Sequence, residues 1–275
     1  AVLEPIQELE KLGFKVDIIK ADQSGRVNPK DIKDKIREDT LLISIMGVNN
    51  ETGVIQPISE IIEIIQDHDC YFHVDAAQMF GKDIDTLSNK RIDLISISGH
   101  KIFGPKGIGA LVTRLRNFNK PPLQPLFFGG GQQAKLRPGT LPVHLIVGLG
   151  TAAKIAKKNL KKRKEKNKKI YDQIIKLMKS LNGNLNGDEK YLLGNCINFS
   201  VPNVDAEAFM LTTKDLISVS NGSACTSSTY EPSHVIKAMT NDKDKLKGAI
   251  RISWCHLTDD KLPITDIFSR VKNIM

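Results

Sequence analysis

No apolar run in the 275-residue chain reaches the ~18 residues that a membrane-spanning helix needs. The first residues hold Glu4, Glu8 and Glu10 rather than a basic and then an apolar run, so no signal peptide is expected there. The chain opens on Ala1 rather than methionine, which points to further sequence upstream. The four cysteines, at 70, 196, 225 and 255, include no C-x-x-C pair. Neither a structural zinc site nor a disulfide scaffold is therefore expected, and a reducing cytoplasm fits the thiols best. No internal repeat is visible. What remains is ordinary for a soluble globular protein, with 40% hydrophobic and 26% charged residues. The length exceeds one small core, so one large or two moderate domains are expected.

The net charge is +9, and much of it falls in one stretch. Lys154 to Lys169 holds Lys154, Lys157, Lys158, Lys161, Lys162, Arg163, Lys164, Lys166, Lys168 and Lys169 against the single acid Glu165. Such a run fits a solvated helix face, and it also fits a surface for an acidic partner or nucleic acid. No aromatic residues interleave with the lysines, as a stacking platform for nucleic acid would require, so direct nucleic-acid binding is not expected.

Apolar periodicity divides the chain. Val2 to Leu12, Asp31 to Arg37 and Ile58 to Gln66 read as helices; Leu41 to Val48, Tyr71 to Ala77, Asp93 to Ser98 and Ile108 to Thr113 read as strands. Strands separated by helices predict an α/β domain with a mostly parallel sheet. Pro121 to Pro142, rich in proline and glycine, reads as a crossing loop. Beyond it a long helix is predicted from Val143 to about Leu181. Short strands follow at Cys196 to Val201, Leu216 to Ser220 and Ala249 to Trp254. The expected organisation is a large domain over 1–142 and a smaller α+β domain over 143–275, which includes a long linking helix.

Two clusters lie where strands end. His73-Val74-Asp75-Ala76-Ala77-Gln78 puts an acid after an apolar strand. Ser98-Gly99-His100-Lys101, followed by Phe103-Gly104-Pro105, puts a lysine in a glycine-rich turn. Taken singly, these are a capped turn and an exposed lysine. Taken together, they match the needs of pyridoxal 5'-phosphate (PLP). That cofactor requires an amine for its aldehyde, a carboxylate for its ring nitrogen, and hydroxyl, imidazole and backbone donors for its phosphate. Both clusters would project from the carboxyl edge of one sheet, where open α/β folds bind ligands. A third cluster, Ser220 to Ser228, is small and polar around Cys225. It fits either a structural turn with an incidental thiol or an accessible nucleophile.

Val48-Asn49-Asn50-Glu51-Thr52-Gly53, His73 to Gln78, Ser98 to Gly109, Gly129 to Gly131, Arg137 to Gly150, Ser220 to Ser227 and Ala249-Ile250-Arg251 occur in one order over nearly the whole chain. In this the sequence resembles the cysteine desulfurases of the NifS/IscS type. These belong to the class V aminotransferase group of fold-type I PLP enzymes. The resemblance implies that Lys101 carries the Schiff base and is catalytic. Asp75 would pair with the pyridine nitrogen, Gln78 would bond the ring hydroxyl, and Ser98 and His100 would hold the phosphate. Asn50 would lie near ring and substrate, and Arg251 would take the carboxylate of L-cysteine. Thr140 would reach the phosphate of a neighbouring subunit, making the working form a homodimer. Cys225 would accept the sulfur as a persulfide, leaving alanine, and pass it to an acceptor protein. That acceptor could be an iron–sulfur scaffold, a tRNA-thiolation enzyme or a DNA-sulfur-modification protein. The other three cysteines would pack as small hydrophobes, Cys255 beside His256 being the least clear.

The resemblance also implies about a hundred residues ahead of Ala1. They would include a phosphate loop and a ring-stacking histidine, so the large domain is incomplete here. The 275 residues alone are therefore expected to be inactive or nearly so, and alanine production from cysteine by them would refute this. Ser253 to Thr258 departs from the usual pattern and hints at a specialised branch such as DNA phosphorothioation. An aminotransferase or selenocysteine lyase of the same group, or an inactive sulfur-relay or docking protein, are the alternatives.

Overall fold

A computed structural model of the chain describes residues 2–222 and 233–275. In chain order these form α1 (Leu3–Lys11), α2 (Pro29–Lys35), β1 (Leu42–Met46), α3 (Ile58–Ile64), β2 (Tyr71–Asp75), β3 (Leu94–Ser98), β4 (Gly109–Thr113), α4 (Val143–Lys158) and α5 (Leu160–Ser180). Then come β5 (Asn184–Leu185), β6 (Cys196–Ser200), α6 (Ala206–Thr213), α7 (His234–Met239), α8 (Lys243–Lys247), β7 (Ala249–Ser253) and α9 (Ile264–Lys272). Among the described residues, no helix is long and apolar enough to cross a membrane. Two compact units form. The first takes residues up to Lys15, Lys35–Gly47 and Ile58–Leu160; the second takes Val16–Asp34, Val48–Pro57 and Lys161–Met275. A division at Pro142 falls inside the first unit.

In the first unit the sheet order is β1-β2-β3-β4. The first three strands are parallel and β4 is antiparallel to β3. Strand alternation in β2 buries Phe72 and Val74 on one face and leaves Tyr71, His73 and Asp75 half-covered on the other. Asp93, immediately before β3, locks the entry to the sheet. Its carboxylate accepts from Phe72 N at 2.7 Å, Arg91 Nη1 at 2.9 Å and Arg116 Nη2 at 2.5 Å. The aspartate is 3% exposed. A buried carboxylate is tolerable when it is paired and hydrogen-bonded, and removing it strands two guanidinium groups. Asp93→Ala is therefore expected to destabilise the first unit by roughly 3–5 kcal/mol, read as a fall in its urea unfolding midpoint.

In the second unit the antiparallel sheet β5-β6-β7 packs one face on α5, α6 and α9. Ile197, Phe199, Ile250 and Ile252 meet Ile170, Ile174, Phe209 and Ile267 there. The Phe199 and Phe209 rings lie edge to face at 6.3 Å. Strand alternation sends Cys196, Asn198 and Ser200 of β6, with Arg251 of β7, to the opposite face.

Two expected elements differ. The helix predicted from Val143 to Leu181 is interrupted at Asn159 (φ −103, ψ 12). The Asn159 amide donates back to Ile155 O, a local side-chain bond that competes with helix continuation. Leu216 to Ser220 is not a strand. Leu216 N and Ile217 N both donate to Thr213 O, so the chain turns at the end of α6, and Leu216, Ile217 and Val219 pack on the core instead. Ser220 alone pairs with β7, exchanging backbone hydrogen bonds with Arg251 at 3.2 and 2.6 Å.

Candidate active site

The carboxyl ends of β2 and β3 lie side by side, with Asp75 in register with Ser96. Asp75 ends β2, half-buried, its Oδ1 accepting from Ala77 N at 2.9 Å. Ser98 ends β3, and the chain then closes into a short 3-10 helix, Gly99–Ile102, which presents His100 and Lys101. Ser98 Oγ and His100 Nδ1 are 3.0 Å apart. Lys101 is exposed. The turn takes this course because it is pressed from two sides. A Cβ on Gly99 would sit 2.9 Å from Ile108 O, and one on Gly148 of α4 would sit 2.5 Å from Pro105 Cγ. Gln78 follows β2; Lys82 Nζ donates to its backbone O at 2.9 Å and to Oε1 at 3.3 Å. That partner assigns Oε1 toward the lysine, so the other end of the amide is its NH2 donor. The first unit thus brings Asp75, Gln78, Ser98, His100 and Lys101 to one sheet edge. Thr140, exposed in the loop before α4, shares no hydrogen bond with them among the described residues.

Next to Asp75, a row of polar groups crosses three strands. Ser44 Oγ is 2.7 Å from His73 Nδ1, and His73 Nε2 is 2.8 Å from Ser96 Oγ. Burial pushes the His73 imidazole below its ordinary 6.5, opposed by the charge of Asp75. The folded state then holds His73 neutral while the unfolded chain takes up a proton. Stability from this site is present above about pH 6.5 and is lost as pH falls below it. His256 is shifted the same way, by burial and then by Arg163 and Lys166. The His73 contribution is therefore expected as a difference: His73→Asn should flatten part of the fall in unfolding midpoint between about pH 7 and 5.

In the second unit, Asn50 and Arg251 meet: Arg251 Nη1 donates to Asn50 O at 3.4 Å. Asn50 lies in a tight turn in which Asn49 Oδ1 accepts from Glu51 N at 2.8 Å and Thr52 N at 3.0 Å. Gly53 adopts φ +76, and a Cβ there would strike Cys196 O at 2.2 Å, so the turn lies directly on β6. Cys225 lies outside the described residues. Among the described residues the other three cysteines form no disulfide; Cys70 and Cys196 are buried and Cys255 is half-buried. Burial pushes the Cys70 thiol up, with Arg91 opposing, which makes it a poor nucleophile. Among the described residues, no group of three or more His, Cys, Asp or Glu side chains is placed to hold a metal ion.

Sequence reasoning singled out neither Lys82 nor the pair Glu51 and Ser233, whose side chains are 2.5 Å apart. The Ser-His-Val-Ile pattern is a helix-cap signal, and Ser233 Oγ does accept from Val235 N and Ile236 N at the start of α7. Nothing local links it to Glu51.

The profile of the family described as aminotransferase class-V matches residues 1–261. The chain belongs to the class-V aminotransferase family. Its four-stranded sheet is part of the fold-type I architecture of PLP enzymes that class-V chains share. The mitosomal cysteine desulfurase of Trachipleistophora hominis is 43% identical over 258 residues, which cover 91% of this chain and 57% of that protein. The chain spans about half the length of the curated relatives it matches. Among solved structures, DndA from Streptomyces lividans superposes with a TM-score of 0.83 at 42% identity, covering 92% of this chain and 72% of DndA. SspA, solved in complex with cysteine, superposes at 0.78 with 36% identity, covering 92% of this chain and 70% of SspA. The donor set at the class-V sheet edge fits PLP: an exposed amine, a carboxylate one strand away, an amide donor and a hydroxyl–imidazole pair.

Proposed function

We propose that the protein is a PLP-dependent cysteine desulfurase that converts L-cysteine to L-alanine, carries the sulfur on Cys225 and hands it to an acceptor protein. It works as a homodimer in a reducing cytoplasm, with Thr140 reaching the partner's cofactor. The observation that carries this is the shared carboxyl edge of β2 and β3, where Asp75 ends one strand and Ser98, followed by the turn with His100 and Lys101, ends the next. The cysteine bound by SspA and the named desulfurases among the relatives support the substrate.

When bound, PLP supplies an aldehyde that an amine captures and a ring that withdraws electrons from the substrate's α-carbon. Asp75 would hold a proton on the ring nitrogen, and the Gln78 amide would donate to the ring hydroxyl. The Ser98 hydroxyl and the His100 imidazole would donate to the phosphate, alongside backbone N–H groups of the 3-10 turn. Lys101 would hold the aldehyde and would move the proton at the substrate's α-carbon. Arg251, steadied by Asn50 O, takes the substrate carboxylate through its planar fork. Cys225 acts as thiolate: its sulfur bonds the substrate sulfur as the substrate's C–S bond breaks. The electron pair of that bond goes to carbon, which a proton completes as alanine. Cysteine and thiol thus become alanine and persulfide without an external oxidant.

The test is incubation of the full-length protein with L-cysteine. Alanine and protein persulfide should appear in equal amounts in the first turnover. Amino-group transfer to a 2-oxo acid without alanine would instead mark an aminotransferase.

A further inference from the structure

Glu51 follows Asn50 in the tight turn on β6, and its side chain is 2% exposed. A carboxylate is costly to bury unless it is hydrogen-bonded, so its placement calls for a partner. Glu51 Oε2 accepts from Ser233 Oγ at 2.5 Å. A Cβ on Gly222 would lie 3.7 Å from the same oxygen and 3.8 Å from Ser233 Cβ. Gly222 and Ser233 are the two residues that flank the segment 223–232, and Cys225 stands in that segment. Both flanks are tied down in turn. Ser220 exchanges backbone hydrogen bonds with Arg251 and its Oγ accepts from Gly222 N, while Ser233 caps α7. The backbone beside Glu51 touches the same strands, since Asn50 O takes Arg251 Nη1 and Cys196 Sγ donates to Glu51 O at 3.5 Å.

We infer that Glu51 is a positioning residue for sulfur transfer, its carboxylate clasping Ser233, the C-terminal flank of the cysteine-bearing segment, to the turn that bears Asn50 and steadies Arg251, with the other flank, Gly222, packed beside the same oxygen. This rests on the desulfurase reading above. Bringing the ends of a ten-residue segment together costs chain entropy, and the buried Ser233–Glu51 bond offsets it. The consequence is geometric. The flank at Ser233 is held at a fixed point on the turn whose Asn50 O takes Arg251 Nη1. A displacement of about 1 Å at such a point can cost about 100-fold in rate.

The experiment uses the full-length protein loaded with PLP. Glu51→Ala should lower kcat for alanine about 10- to 100-fold, with KM for cysteine and the cofactor's absorbance band unchanged. Glu51→Gln retains an acceptor for Ser233 Oγ and should recover most of the rate. Ser233→Ala should reproduce the loss, and the double variant should be no slower than the worse single variant. An unchanged kcat in both single variants, or losses that add in the double, would overturn the clasp. So would a fall in cofactor binding that matches the fall in kcat. If Glu51→Ala does not fold, Ser233→Ala carries the test. Alkylation of Cys225 by iodoacetamide, located by mass spectrometry, is read in parallel. It should be faster in the variants than in the wild type, and equal rates count against the clasp. If the wild type forms no alanine, the desulfurase reading fails, and the alkylation rates alone judge the clasp.

Discussion

Lys101→Ala in the full-length protein should lower alanine formation from cysteine on the order of 10^3-fold or more. The expectation is this large because, in the proposed chemistry, one amine would perform two duties: holding the cofactor's aldehyde and moving the proton at the substrate's α-carbon. No neighbour in the turn can substitute. The adjacent His100 is committed to Ser98 at 3.0 Å, and Lys106 lies beyond the sharp reversal at Phe103, where φ is +67. The variant should still retain PLP through Asp75, Gln78, Ser98 and His100, but without the visible band of a lysine-bound cofactor. Loss of the band with retention of phosphate-ester binding is the spectroscopic check. Unaltered alanine formation would remove Lys101 from the proposed chemistry. The turn itself should survive, since it is shaped by Gly99 against Ile108 and by Pro105 against Gly148, none of which involves the lysine amine.

Cys225→Ser is expected to be as severe for a different reason. A hydroxyl at neutral pH supplies almost no oxyanion, and oxygen does not form a persulfide, so alanine and protein-bound sulfur should both fall on the order of 10^3-fold or more. PLP binding should be unaffected. The variant separates the desulfurase from an aminotransferase of the same family, which needs no such thiol. If sulfur release persists in Cys225→Ser, the carrier is another cysteine. The structure already ranks those: Cys70 and Cys196 are buried and only Cys255 is part-exposed, so Cys255→Ser should leave the rate unchanged if Cys225 is the carrier. Cys196→Ser is a packing change and should be read by unfolding, because its Sγ lies against Glu51 O and Ser253 Oγ.

Much of the first unit was legible along the chain. The strands at 42–46, 71–75, 94–98 and 109–113 were marked by compact apolar runs, and the glycine- and proline-rich turn after Ser98 marked where a lysine would be presented. The second unit was less legible. Leu216 to Ser220 has the composition of a strand, yet its apolar residues serve the core beneath α6 and α9 while its backbone turns away. The break at Asn159 was hidden because it falls in a lysine-rich stretch with no glycine or proline to mark it; the Asn159 amide donates back to Ile155 O at the interruption. The discontinuous make-up of both units was hidden too: residues 16–34 and 48–57 fold with the C-terminal part although they precede most of the first unit.

The motif set, its order and hence the family could be read from the chain alone, together with which residue types stand at the sheet edge. These are local properties: residue type, turn-forming glycine, and the period of apolar positions. Only the tertiary structure decided that Glu51 bonds Ser233, 182 residues away, that Arg251 rests on Asn50 O, and that His73 is spanned by Ser44 and Ser96. Those pairings depend on which strands lie next to one another and in what register, which hydrogen bonds between distant segments fix and no short window of the chain contains.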